Sequence, residues 1–118
     1  MTTTVDIINN AIALIERGWT QRAAARTATG TPCGPRDPDA AMWCVNSAIY
    51  SCGTQTQGFE VEKLVRKIIG YDRDDPTKKP QPESTVAWND TPKRTQLEVL
   101  HVLHTARSLI LASTRSIS

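Results

Sequence analysis

The sequence has few aromatic residues and no long apolar run. Aromatic residues make up 5% of its 118 positions, and three of them are tryptophans. A small core cannot easily leave such bulky side chains in water, so Trp19, Trp43 and Trp88 are predicted to be largely buried structural residues. No apolar stretch approaches the roughly 18 residues that a membrane-spanning helix needs. We therefore expect no membrane partner.

The chain also lacks the even number of cysteines that is typical of a disulfide framework. Its cysteines are Cys33, Cys44 and Cys52, and an odd count is unusual in a secreted, disulfide-bonded domain. The first residues contain no basic region, and Asp6 interrupts their apolar positions, so we expect no signal peptide. The sequence therefore predicts a cytoplasmic protein with reduced thiols.

Neither sign of charge is in large excess. Charged residues make up 22% of the chain and the formal net charge is +2. The densest basic pair, Lys93 and Arg94, is not interleaved with aromatic residues in the way that is common in nucleic-acid-binding segments. Composition gives no support for nucleic-acid binding, although a nucleic-acid-associated regulator stays an alternative. With 39% hydrophobic residues, the chain has the size and composition of one domain, 1–118.

Apolar periodicity and capping residues predict a mainly α fold, a compact bundle of about four helices. In the first, Val5, Ile8 and Ile12 share a face, and Gly18 is placed as a left-handed stop. Asp37 begins the second helix as its cap. The four helices are expected at about 4–17, 37–52, 59–69 and 95–112.

The segments between these helices carry turn signals. Residues 19–36 contain several prolines and glycines, and are predicted to form a short hairpin turning near Thr29-Gly30, or an ordered loop. Residues 71–85 combine prolines with charges, which is typical of an exposed, mobile connection. Residues 113–118 are expected to be a loose tail, which leaves about 4–112 ordered.

Several short motifs of the chain occur together in one known group of proteins. They are Gly18-Trp19-x-Gln21, Gly30-x-Pro32-Cys33, Pro35-Arg36-Asp37-Pro38-Asp39-Ala40, Trp43-Cys44 and Ala87-Trp88-Asn89-Asp90, followed by Arg94-Thr95 and Val99-Leu100. From about Ile8 to Arg107, the chain resembles an uncharacterised family of small domains from actinobacteria and their phages. The resemblance implies a compact helical fold and no assigned activity. That family usually has Gly-Ala where this chain has Ser47-Ala48, which implies less close packing there.

Cys44 is the candidate nucleophile. The second predicted helix places it one turn from the helix start, where a helix lowers the pKa of a thiol. His101 or His104 would then be its base, and Asn89 or Asp90 would orient that base, as in Cys-His-Asn sites. Cys44 also falls on the apolar face of that helix, and a free cysteine is commonly a buried packing residue. We favour packing as its role.

A metal site is a second possibility. His101 and His104 lie three positions apart on one side of the last predicted helix. Cys33 and Cys44 would complete a tetrahedral set. No CxxC or HExxH motif accompanies them, and two half-exposed histidines at a helix edge explain the spacing equally well. We expect no metal and no cofactor.

Four polar residues do not fit a core position and are candidate binding residues. They are Gln21, Arg36, Asn89 and Asp90, all in loops beside helix ends, where recognition residues are common. Asn89 and Asp90 also suit a structural corner after Trp88, because short polar side chains hold turns.

The sequence therefore predicts a small, non-catalytic protein that binds another protein. An accessory factor of a phage or mobile element, acting on a host protein, is the favoured version. A Cys44-dependent hydrolase or transferase is an alternative, and a nucleic-acid-associated regulator that uses Lys93 and Arg94 is another.

Overall fold

Five helices and one small antiparallel sheet form the described part of the chain. The computed structural model describes residues 2–70 and 84–117, with side chains as far as residue 113 in the last helix. In chain order the elements are α1 (Thr4–Arg17), β1 (Ala25–Thr27), β2 (Pro32–Cys33), β3 (Ala40–Trp43), α2 (Val45–Tyr50), α3 (Gln55–Ile68), α4 (Thr85–Asn89) and α5 (Gln96–Ile117). The fold is mainly helical, but it is not the predicted four-helix bundle.

α1 has the predicted bounds and lies at the centre of the fold. Thr3 and Asp6 form a capping box, each side chain accepting a backbone N–H of the other residue. Its buried face includes Ile7, Ile8 and Ile15. That face packs against α2, α3 and α5. The apolar spacing in the sequence therefore identified a real core face.

Gly18 ends α1, but not in the left-handed conformation that its position predicted. Its φ is 177°, which is extended backbone. Glycine is needed there because a Cβ atom would lie 2.2 Å from the carbonyl oxygen of Ala41. The chain passes directly beside β3, where the Trp43 N–H donates to the Gly18 carbonyl at 3.0 Å. Close packing against β3, and not a left-handed backbone, is therefore the reason for glycine at this helix end.

The sheet contains the predicted hairpin and one strand that was not predicted. β1 and β2 pair around a turn at Thr29-Gly30, where Gly30 has a φ of +90° that favours glycine. β3 pairs antiparallel with the other edge of β1, with Ala25 opposite Trp43. The strand order is β2-β1-β3.

The predicted helix over 37–52 is wrong in its first half. Asp37 closes a short turn instead, because its carbonyl accepts the N–H of Ala40 at 3.0 Å. The next residues form β3, since pairing with β1 gives their backbone groups partners from another part of the chain. α2 begins only at Val45, with Cys44 as its N-cap.

α3 begins four residues earlier than predicted. Thr54 and Gln57 form a capping box, so α3 starts at Gln55 and not at Phe59. Residues 55–58, which precede the predicted start, therefore form the first turn of the helix. The pattern Thr-x-x-Gln was present in the sequence as a signal for it.

α4 is a short helix that the sequence reading did not predict. Ser84 is its N-cap and accepts the Ala87 N–H at 3.0 Å. Thr85, at its first position, is fully buried. The last residue of the predicted mobile connection over 71–85 is thus helical and buried, and its positions 71–83 lie outside the described residues.

α5 starts as predicted and ends later than predicted. Thr95 and Glu98 cap its first turn through two hydrogen bonds of 3.2 Å. It continues to Ile117, so residues 113–117 of the tail that was expected to be loose are helical. Within 2–70 and 84–117, no helix has the length and apolar character of a membrane span.

Two of the three tryptophans are buried as predicted. Trp43 is 4% exposed and Trp88 is 6% exposed. The Trp43 Nε1–H donates to the Pro35 carbonyl at 3.0 Å. Trp19 is half-buried and packs against the edge of the core. All three therefore contribute to the core, with Trp19 at its boundary.

Candidate functional site

Two adjoining depressions lie between α2, α3, α4 and the loops that flank the sheet. The first has a volume of about 630 Å3. The second has a volume of about 330 Å3. Asn46, Ser47 and Val86 line both of them, so together they form one continuous concavity, here called the cleft. Concave surfaces with a few convergent polar groups are the usual binding sites of proteins.

The first depression is lined mainly by polar residues. Arg36 and Gln55 are exposed at its rim, and Asn46 is half-buried. These three side chains make no hydrogen bond or ion pair with any residue in the described ranges. Their donors and acceptors are therefore available to a ligand.

Tyr50 and Glu62 form the opposite, internally satisfied wall of the first depression. The Tyr50 hydroxyl donates to Glu62 Oε1 at 2.6 Å, and Arg66 lies 3.8 Å from the other carboxylate oxygen. Burial of the phenol and this hydrogen bond raise the pKa of Tyr50 above its usual value. The Tyr50 ring also covers Gly58, where a Cβ atom would lie 2.5 Å from it. This wall is fixed by packing and a charge-assisted hydrogen bond.

The second depression brings together Arg22, Cys44 and Asp90. Arg22 has a φ of +64°, an uncommon left-handed conformation for a residue with a side chain. The Asp90 carboxylate holds it by accepting the Arg22 backbone N–H at 2.9 Å. The Arg22 side chain is exposed and has no hydrogen bond or ion pair within the described part of the chain.

Asn89 lies behind the second depression and is fully buried. Its Oδ1 accepts the Trp19 Nε1–H at 2.7 Å and the Val45 N–H at 2.9 Å. Its Nδ2 donates to the Thr20 carbonyl and to Asp90 Oδ1, each at 3.1 Å. The side chain therefore joins three separate segments and has used its hydrogen-bonding capacity.

Gln21 is also occupied by internal contacts. Its Nε2 donates to the carbonyls of Asn89 and Thr91 at 2.8 and 3.0 Å. Three of the four predicted binding residues belong to one hydrogen-bond network, namely Gln21, Asn89 and Asp90. This network joins α4 to residues 18–24, here called the Trp19 loop. Arg36 alone faces the cleft with a free side chain. That any of these residues contacts a partner stays a prediction.

Cys44 is the N-cap of α2. The sequence had predicted it to lie inside a helix over 37–52, which is wrong. Its Sγ accepts the Ser47 N–H at 3.4 Å and lies 3.2 Å from Ser47 Oγ. It is 5% exposed. His101 and His104 lie exposed on α5, which packs against α1 and α3. The predicted nucleophile and its predicted bases are therefore not brought together.

The four candidate metal ligands lie on two parts of the molecule, Cys33 and Cys44 at the sheet and His101 and His104 on α5. Among the described residues, no group of three or more His, Cys, Asp or Glu side chains is arranged to hold a metal ion. Partial burial and the carboxylates of Asp37 and Asp39 raise the pKa of Cys33, which disfavours the thiolate that a metal needs. All three cysteines are free thiols.

The sequence reading missed Arg22, Asn46 and Glu62 as cleft residues. Each is a polar residue on an element that shows no other sign of function, and no motif marks it. They come together only because α2, α3 and the Trp19 loop meet beside α4. Tertiary packing, and not local sequence, thus creates the cleft.

The chain belongs to a family of unknown function, DUF6197, whose model matches residues 1–109. No curated protein and no solved structure matches it. The match covers every cleft residue and all but the last turns of α5. The cleft is therefore part of the family domain and not of an appended segment.

Proposed function

We propose that this family member is a non-catalytic binding protein that holds a segment of another protein in the cleft. One observation supports the proposal most strongly. Arg36, Asn46 and Gln55 line the first depression without an internal partner. In its opposite wall, by contrast, Tyr50 and Glu62 are hydrogen-bonded to each other. Polar side chains on a rigid scaffold that lack internal partners are suited to recognition.

Catalysis by Cys44 is the second candidate, because the thiol lines the second depression. A nucleophilic cysteine needs a base within hydrogen-bond reach, or a lowered pKa. The described residues around this depression include no histidine, and the contacts of Cys44 are those of a helix cap. The geometry therefore favours a capping role over a nucleophilic one.

Nucleic-acid binding through Lys93 and Arg94 has weaker support. The Arg94 guanidinium lies 4.2 Å above the Trp88 ring, donates to the Trp88 carbonyl at 3.1 Å and pairs with Glu98 at 2.8 Å. Such a side chain has little left to offer a phosphate. Lys93 alone provides less positive charge than the basic patch of a typical nucleic-acid-binding surface.

We further propose that the protein works in the cytoplasm, as an accessory factor of a phage or mobile element that acts on a host protein. The three free thiols support a reducing compartment. The motif resemblance to domains from actinobacteria and their phages supports the origin. If the chain is phage-encoded, the host cytoplasm is its place of action.

Site-specific photo-crosslinking tests the binding function. A benzoylphenylalanine replaces Gln55 at the cleft rim, and a matched protein carries it at Glu16, which is exposed on α1. In cells that naturally carry the protein, we expect discrete adducts with a cellular protein from position 55, weakened by Asn46→Ala. The same adducts from both positions would contradict the proposal.

The same cells separate binding from catalysis. Cys44→Ser replaces the capping sulfur with a capping oxygen and should leave the adducts and the biological effect intact. Asn46→Ala and Arg36→Ala should weaken both while the circular dichroism spectrum is unchanged. If Cys44→Ser folds and abolishes an effect that the other two variants leave intact, Cys44 is a nucleophile.

A further inference from the structure

We infer that the partner segment is acidic, and that Arg36 and Arg22 bind its carboxylates, one in each depression of the cleft. This inference rests on the proposed function, because it names the chemistry of the segment that the cleft would hold. The two arginines line different depressions, with Asn46 between them as a residue common to both.

The carboxylates and the guanidinium groups of the cleft differ in their internal partners. Its carboxylates are Glu62 and Asp90. Glu62 accepts the Tyr50 hydroxyl and is close to Arg66, while Asp90 accepts two N–H groups from Arg22 and Asn89. The guanidinium groups of Arg22 and Arg36 have no carboxylate partner among the described residues. Among the described residues, two guanidinium groups of the cleft and one carboxylate, Asp90, thus have no oppositely charged partner, so the net unmatched charge is positive.

The backbone of Arg22 is held in place at a cost. A left-handed conformation is unfavourable for arginine, which has a Cβ atom. The Asp90 carboxylate fixes it through the Arg22 N–H, and Gln21 fixes the same loop to the end of α4. The loop is thus ordered before a ligand arrives, which reduces the entropy lost on binding.

The arrangement favours carboxylates over phosphates. An arginine binds a carboxylate through two parallel N–H···O bonds, so one guanidinium matches one acidic side chain. Phosphate recognition usually uses several converging cations. Here each depression has only one unpaired arginine, which is fewer cations than such a phosphate site uses. The Asn46 amide between them offers a donor and an acceptor to a peptide backbone.

NMR titration of the 15N-labelled protein tests the inference. The probe is an acetylated eight-residue peptide of alternating Glu and Ala, and its matched control has Gln at every Glu. We expect the Glu peptide to shift the side-chain signals of Asn46 and the backbone signals of Ala23 and Val86, and the Gln peptide to leave them unchanged. Equal shifts with both peptides, or no cleft shifts with millimolar Glu peptide, would overturn the inference.

Three variants identify the groups responsible. Arg22→Gln and Arg36→Gln should each weaken the Glu peptide about tenfold, the effect of losing one charge-assisted contact. Lys67→Gln removes an exposed positive charge from α3, outside the cleft, and should change the affinity less than about twofold. Similar losses in all three variants would show general charge attraction and would overturn the assignment.

Further results distinguish an acidic peptide from a small dicarboxylate as the ligand. They also distinguish failure of this inference from failure of the proposed function. If succinate shifts Asn46 at lower concentration than the Glu peptide, the ligand is a small dicarboxylate and the acidic-segment inference fails. If the photo-crosslinked adducts from position 55 persist in the Arg22→Gln variant but weaken in Asn46→Ala, the protein-binding function stands and the acidic inference fails. If the adducts from position 55 match those from position 16, the proposed function itself fails.

Discussion

Replacement of Asn89 by alanine is the sharpest test of the network that joins the Trp19 loop, α2 and α4. The substitution removes one oxygen that accepts two N–H groups, from Trp19 and Val45, and one amide that donates to the Thr20 carbonyl. A buried donor left without an acceptor costs about 1–3 kcal/mol, so the two N–H groups together give a loss of about 2–6 kcal/mol. The free energy of unfolding of a native protein is only about 5–15 kcal/mol, so this loss would be a large part of the total.

Asn46→Ala is the matched control for this prediction. Asn46 is the same residue type and lies on α2, and its side chain makes no hydrogen bond within the described ranges. Loss of that side chain should therefore change stability by less than about 0.5 kcal/mol. Urea denaturation followed by tryptophan fluorescence measures both variants. If Asn89→Ala unfolds at the same urea concentration as Asn46→Ala, the network does not stabilise the fold and the reasoning is refuted.

Three other predictions concern packing and ionisation. Trp43→Ala should cost about 3–5 kcal/mol because the side chain is buried, and an unchanged melting temperature would contradict this. Gly18→Ala should lower stability by about 1–3 kcal/mol through overpacking against β3, whereas Gly34→Ala, with open space around it, should have little effect in the same thermal melts. The pKa of Tyr50 is higher in the folded than in the unfolded protein, so its contribution is complete below about pH 10 and is lost as the pH rises further. Urea midpoints should therefore fall more steeply above about pH 10 for the wild type than for Tyr50→Phe, and parallel curves would show that the Glu62 contact does not matter.

The network has a consequence for the motifs that carry the family resemblance. Gln21 and the Asn89-Asp90 pair belong to those motifs, and their polar atoms bind each other and the backbone around them. Their side chains therefore serve first to hold α4 against the Trp19 loop. The residues that we propose for recognition, Arg22 and Asn46, lie on the surface that this framework positions.

Short-range sequence patterns were sufficient to predict the parts of the fold that depend on neighbouring residues. The bounds of α1, the turn at Thr29-Gly30 and the start of α5 were predicted correctly. A capping box, a left-handed glycine and an apolar stripe each act within a few positions of the chain. The capping box at Thr54 is of the same kind and was available in the sequence.

The secondary structure of residues 40–44 depends on tertiary contacts. Their local signals favour a helix that begins at Asp37, yet Ala40–Trp43 form β3 and Cys44 becomes a cap. Pairing with β1 and the close approach of Gly18 come from segments at least 13 residues away, and no local pattern reports them. Tertiary contacts override helix propensity here because the backbone hydrogen bonds of a strand lie outside the strand itself.

The candidate site depends on tertiary structure for the same reason. Asn89 is an ordinary corner residue in the sequence, but its bonds to Trp19 and Val45 span 70 and 44 positions. Arg22 and Arg36 become parts of one cleft only when α2 and α4 come between their loops. A sequence states which groups are polar, but hydrogen bonds and cavities depend on distances in space, and those are set when the whole chain has packed.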